Sequence, residues 1–278
     1  QNHFAPVALI FVLGAGEGVG EGFGVGVQLG VEQLQALGDA GKAAGMATYH
    51  KAPRVYLGVA VPVIDGLARE WRAELDVAGR IDLASRLWDS DIHEARIAAT
   101  KLLTQARIRP DEDVWRLIAG WVPQFDAWAI ADHAMNAGER RLLADPSRLD
   151  EVETWLDHAS FWVRRAALVG TLPWTHIRNP KPAELAQRER ILGWLERLAD
   201  DREWFIQKAI GWWLRDLSRH SARFSRSPGF ARPTRPDTSP ATCTGTPSTA
   251  VITSPDFRPA FSAALPGTTS ATSAPEGE

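Results

Sequence analysis

The stretch "FDAWAIADHA", residues 125–134, sets Trp128 and Asp132 four positions apart. On a helix that spacing puts both side chains on one face. An ionised carboxylate is costly to bury without a partner, so the pair suits neither a plain core face nor a plain solvent face. Two readings fit. Asp132 can sit at the rim of a Trp-lined core, paired to an arginine such as Arg165. Alternatively, indole and carboxylate together hold something. A second set of chemically useful residues is Lys208, Trp212 and Arg215, at i, i+4 and i+7. Bases interleaved with aromatics suit a nucleic-acid surface, through stacking and phosphate contacts. Trp213 lies about 100° further round the helix and is expected in the core, as are Trp88, Trp121, Trp155 and Trp194.

The elements that must position these groups read as helices. "VEQLQAL", "IDGLAREWRAEL", "HEARIAATKLLTQA", "DVWRLIAGW", "RERILGWLERLADD" and "FIQKAIGWWLRDLSRH" carry helical hydrophobic spacing, and strand-like alternation is scarce. "RPDED", "DPSRLDE" and "NPKPAE" read as turns or caps followed by the acidic residues that helix N-termini prefer. Four helices align as a repeat, beginning at His93, Trp128, Trp162 and Phe205, with offsets of 35, 34 and 43 residues. Periods of this size with two helices each predict an all-α, HEAT-like-repeat solenoid. The fourth residue of each motif is Arg96, Ala131, Arg165 and Lys208. A basic row at repeat spacing can track a phosphate backbone, or simply solubilise the surface; Arg96 enters the DNA-contact set on this ground alone.

Composition bounds the rest. The chain has 278 residues and a net charge of −3, with a calculated pI near 6.2, so nothing global calls for nucleic acid. A single cysteine, Cys243, excludes an intrachain disulfide and suits a reducing compartment, so a cytoplasmic protein is expected. The seven histidines never fall at i, i+3 or i, i+4, which excludes a helical His–His metal site. No metal, cofactor or membrane span is expected. Three segments differ in character. Residues 1–31 are Gly-rich without completing a dinucleotide or P-loop fingerprint. Residues 32–221 hold all twelve tryptophans. Residues 222–278 are rich in Ser, Thr and Pro. Both ends are expected to be disordered or non-native, as from another reading frame.

"FWVRRAALVGTL", "WFIQKAIGWWLRDLSRH" and "FDAWAIAD" resemble the AlkD-type DNA alkylation-repair glycosylases. So does "KAAGMATYHKAPRVYLGV", which is similar to the family's N-terminal helix and the Gly-Val turn after it. The resemblance runs through residues 32–221 in order, and "FIQKAIGWWLR" is its most specific piece. It implies a HEAT-like solenoid that wraps duplex DNA carrying alkylated purines in a concave basic groove. It also implies a monomer that hydrolyses the N-glycosidic bond of N3- and N7-alkylated purines without a cofactor. Carried over residue by residue, the catalytic set falls on Trp128, Asp132 and Trp212. The DNA-binding set falls on Arg165, Lys208 and Arg215, and Tyr49 matches a tyrosine of the N-terminal helix. The chain departs from the family after the last motif, where a Ser/Thr/Pro tail stands in place of further helices. The alternative from another class is a non-catalytic HEAT-like scaffold that binds DNA or protein.

Overall fold

The computed structural model describes residues 30–220. The Gly-rich and Ser/Thr/Pro-rich segments lie outside them, apart from the first helix's opening residues. All regular structure among the described residues is helical, apart from one isolated parallel bridge between Val55 and Ile92. Two compact units divide the chain, the second beginning at Glu153.

The first unit opens with α1 (residues 30–36) and α2 (Ala40–His50), capped by Asp39, whose carboxylate accepts from the Lys42 N–H at 3.0 Å. An irregular segment, 51–60, then leads to α3 (Val61–Glu74), α4 (Val77–Asp89) and α5 (His93–Leu102). α6 (Glu112–Trp121), a short 3-10 turn (Val122–Gln124) and α7 (Trp128–Ala144) follow. α3 and α4 pack on α5, α5 packs on α7, and α6 packs on α7. The core between them takes Leu34, Ile64, Leu87, Trp88, Trp115 and Ile118 out of water. Side chains of this size each contribute about 1.5–3 kcal/mol when fully buried.

The division falls within α8 (Leu149–Thr154). The second unit comprises a 3-10 turn (Trp155–Asp157), α9 (Phe161–Gly170), α10 (Pro173–His176), α11 (Pro182–Arg197) and α12 (Trp204–His220). α12 lies against α9 and α10, burying Ile206, Ala209, Ile210, Trp213 and Leu217 on one stripe at helical spacing. Trp88, Trp121, Trp155, Trp194 and Trp213 are all buried, as the sequence predicts.

The repeat is visible as packing. The equivalent helices α5 and α7 lie side by side in the first unit, and α9 and α12 do so in the second. This is the all-α repeat arrangement that the 35, 34 and 43 residue offsets predict. Boundaries differ in detail. α5 stops at Leu102 although helical spacing runs on to Ala106, and α4 is a full helix that hydrophobic periodicity did not single out. Among the described residues no helix is long and apolar enough to cross a membrane.

Candidate functional site

Trp128 is the first residue of α7, and Asp132 lies one turn on along the same face; both are half-buried. A plain core residue would be sealed, and these two are only partly covered. Around Trp128 the first unit assembles aromatic rings. Tyr49, 69% exposed at the end of α2, meets the indole edge-on at 6.1 Å. His50 lies 5.6 Å from the same indole, 4.5 Å from His93 and parallel to Tyr56 at 6.1 Å. Tyr56 contacts His93 in turn at 4.8 Å. The structure therefore brings Tyr49 and Trp128 together, two residues that are 79 positions apart.

The imidazoles of this cluster are held neutral. Burial pushes His93 down to about 3, and the positive charge of Arg54 nearby pushes the same way. Burial also lowers His50, against the opposing pull of Glu94. His133, beside Asp132 on α7, is pushed down to about 4, again chiefly by burial. With its imidazole neutral, His50 adds no positive charge beside the Trp128 indole.

The segment 51–60 carries Tyr56 and Arg54 into place, and Glu94 anchors it. Glu94 is fully buried and accepts from two backbone groups, Leu57 N–H at 2.9 Å and Gly58 N–H at 2.8 Å. Gly58 has φ +79°, where side chains are strained. A Cβ there would lie 2.1 Å from the Asp39 carbonyl oxygen, so no other residue fits. The His93 N–H adds a bond to the Val55 carbonyl at 3.0 Å.

The second unit holds the remaining predicted residues. On α12, Lys208, Trp212 and Arg215 are exposed, Trp212 at 36%, while Trp213 is sealed. Lys208 lies 4.6 Å above the ring of Trp204, itself exposed. Phe161, Trp162 and Phe205 form a ring cluster with centroid separations of 4.5 to 6.1 Å.

Arg96 and Arg165 differ from expectation. Arg96 is 8% exposed; its Nε donates to the Trp88 carbonyl at 3.1 Å, its Nη2 pairs with Asp91 at 3.1 Å, and its guanidinium lies 4.8 Å over the Trp88 ring. Arg165 is 3% exposed, with Nη1 donating to the Phe205 carbonyl at 2.9 Å and the guanidinium 5.9 Å from the Phe205 ring. Equivalent repeat positions thus use one device, a guanidinium laid on an aromatic ring and tied to a backbone carbonyl. Only Lys208 of the basic row faces outward. Arg141, Arg148 and Arg188 are also buried, donating to backbone carbonyls. Sequence reading missed Arg54, Glu94 and His50. Glu94 passes for an ordinary acidic residue of a helix first turn, and only Gly58 in "RVYLGV" hints that this loop is built to close tolerances.

The described residues contain no group of three or more His, Cys, Asp or Glu side chains placed to hold a metal ion.

Comparison with known proteins follows the same lines. A family model, DNA alkylation repair enzyme, matches residues 31–227. Among solved structures, a protein from Enterococcus faecalis described as a predicted DNA alkylation repair enzyme is similar at 22% identity, with a TM-score of 0.56, over 66% of this chain and 84% of its own. AlkD2 from Streptococcus mutans is similar at 20% identity, with a TM-score of 0.46, over 58% of this chain and 75% of its own. Among curated proteins none matches. The first of these structures supports the repeat fold.

Proposed function

The chain belongs to the DNA alkylation repair enzyme family, and from that premise we propose that it is a monofunctional DNA glycosylase. In this reading it hydrolyses the N-glycosidic bond of cationic N3- and N7-alkylated purines in duplex DNA. The observation that carries the reading is the Trp128–Asp132 pair: an aromatic and a carboxylate on one face of α7, each half-buried.

The chemistry asks little of an enzyme. A purine alkylated at these positions carries positive charge and is already a good leaving group, so it needs no proton. The bond breaks toward an oxocarbenium-like sugar. Asp132 stabilises that charge and orients the attacking water. Trp128, in T-shaped contact with Tyr49, offers an electron-rich face to the cationic base. Trp212 is assigned as the second aromatic from the sequence resemblance, and its exposure on α12 is compatible with that role. Lys208 and Arg215 contact phosphates, being exposed and charged on the same stripe. Arg96 and Arg165 are left out of the direct DNA contacts, because both guanidinium groups are already engaged inside the protein.

The test compares release of a cationic and a neutral base. Duplexes carrying 7-methylguanine or 3-methyladenine should be turned over, and a duplex carrying uracil should not. Release of uracil at a comparable rate would contradict the cation-based mechanism. Binding without any release would leave a scaffold.

A further inference from the structure

α7 begins at Trp128 without a capping side chain. Ala127, its N-cap, is extended at φ −145° and ψ 144° and has no hydroxyl or carboxylate to offer the first N–H groups. The position of Trp128 must therefore be set by what holds the preceding segment. One hold is aromatic. Trp88 stacks on Trp121 at 4.3 Å, donates its Nε1 to Gln124 Oε1 at 2.9 Å, and touches Phe125 at 6.1 Å. The other hold is ionic. Arg54 reaches out of the 51–60 segment and donates through Nη2 to the carboxylate of Asp126, two residues before Trp128. The same Nη2 lies 3.6 Å from Asp91 Oδ1, and Asp91 also pairs with Arg96 at 3.1 Å. Asp91 adopts the left-handed conformation, φ 52°, which a non-glycine residue adopts at a cost.

This ionic hold is a poor way to gain stability. The Arg54 side chain is 2% exposed, and among the described residues its Nε and Nη1 find no acceptor. A buried guanidinium using one nitrogen of three leaves desolvated donors uncompensated. Apolar residues of similar volume commonly replace buried ion pairs with equal or better stability. What an apolar side chain cannot do is fix the register of Asp126, and with it the first turn of α7, against the segment that follows Tyr49 and His50.

We propose that Arg54 is a positioning residue: through Asp126 it sets the orientation of Trp128, and hence of the face shared with Asp132, toward the substrate base. The proposal rests on the glycosylase reading for its catalytic consequence, and on Trp128 alone for its structural one.

The experiment uses the full chain labelled with 5-fluorotryptophan, with the Trp128 resonance assigned by Trp128→Phe. Arg54→Met, Arg54→Lys and Asp126→Asn are compared with wild type. Arg54→Met is expected to melt at or above the wild-type temperature and to displace or broaden the Trp128 resonance. Misplacement by about an ångström can cost a hundredfold in rate, so maximal release of 7-methylguanine should fall by about ten- to a hundredfold. Half-saturation should stay within about threefold. Asp126→Asn should move the same resonance in the same direction by less, and Arg54→Lys should recover part of the rate. An unmoved Trp128 resonance overturns the proposal. So does stability lost in step with activity, including failure of Arg54→Met to fold, because the pair would then be an ordinary strut. If wild type releases no base, the glycosylase reading fails by itself, and the fluorine spectrum still decides whether Arg54 positions Trp128.

Discussion

Replacing Glu94 by alanine should cost stability out of proportion to the size of the change. Glu94 is fully buried, and its two oxygens accept from the Leu57 and Gly58 N–H groups at 2.9 and 2.8 Å. Deleting the carboxylate leaves two buried donors, each worth about 1–3 kcal/mol when unsatisfied. Relief of burying the charge itself offsets part of that sum, so a net loss of about 3 kcal/mol is expected. Glu94→Gln keeps one acceptor oxygen and turns its amide toward the other donor, so it should lose about half as much. Urea unfolding followed by linear extrapolation gives the free energies, and hydrogen exchange at the Leu57 and Gly58 amides shows where the loss is felt. Gly58→Ala should release the same loop, because its new Cβ would meet the Asp39 carbonyl at 2.1 Å. A Glu94→Ala protein less than about 1 kcal/mol weaker, with both amides still protected, would refute the view that this carboxylate anchors the wall beside Trp128.

Three further outcomes follow from the geometry. Trp212→Ala should leave stability within about 0.5 kcal/mol because the ring is exposed, yet abolish most base release; Trp213→Ala, from the core, should cost about 3–5 kcal/mol, and chemical unfolding with turnover assays on both separates the roles. Lys208→Ala and Arg215→Ala should each lower the slope of log affinity against log salt by about one, readable by titrating duplex binding at several salt concentrations. Stability should fall in acid: His93 and His133 are neutral in the folded protein down to about 3 and about 4, against 6.5 when unfolded. The unfolded chain therefore binds more protons below pH 6.5, and each histidine costs up to about 2 kcal/mol at pH 5. His133→Phe should remove about half of this fall in stability between pH 6.5 and 4, His93 keeping the rest, and leave the pH dependence above pH 7 unchanged.

Much of this was legible in the sequence because helical period and local spacing need no knowledge of distant partners. The Trp128–Asp132 face, the outward stripe of α12 and the inward Trp213 all follow from 3.6 residues per turn. The repeat was legible for the same reason. Arg96 and Arg165 were not, since the helical period that groups them with Lys208 cannot tell an outward arginine from one folded onto a ring. Their fate depends on Trp88 and Phe205, rings supplied from 8 and 40 residues away. The aromatic wall of Tyr49, His50, Tyr56 and His93 was equally hidden, because it forms only when segment 51–60 crosses the start of α5. Arg54 and Asp126, 72 residues apart, carry no local signal at all.

The central claim is tested most directly by Asp132→Asn, which keeps the shape of the side chain and removes its charge. Wild type and variant should bind a duplex carrying 7-methylguanine with affinities within a few-fold of each other. Only wild type should release the base, the variant falling by about a hundredfold or more, as the loss of a group acting in the transition state requires. Undiminished release by Asp132→Asn, or none by a folded and DNA-binding wild type, would contradict the assignment of this carboxylate to catalysis.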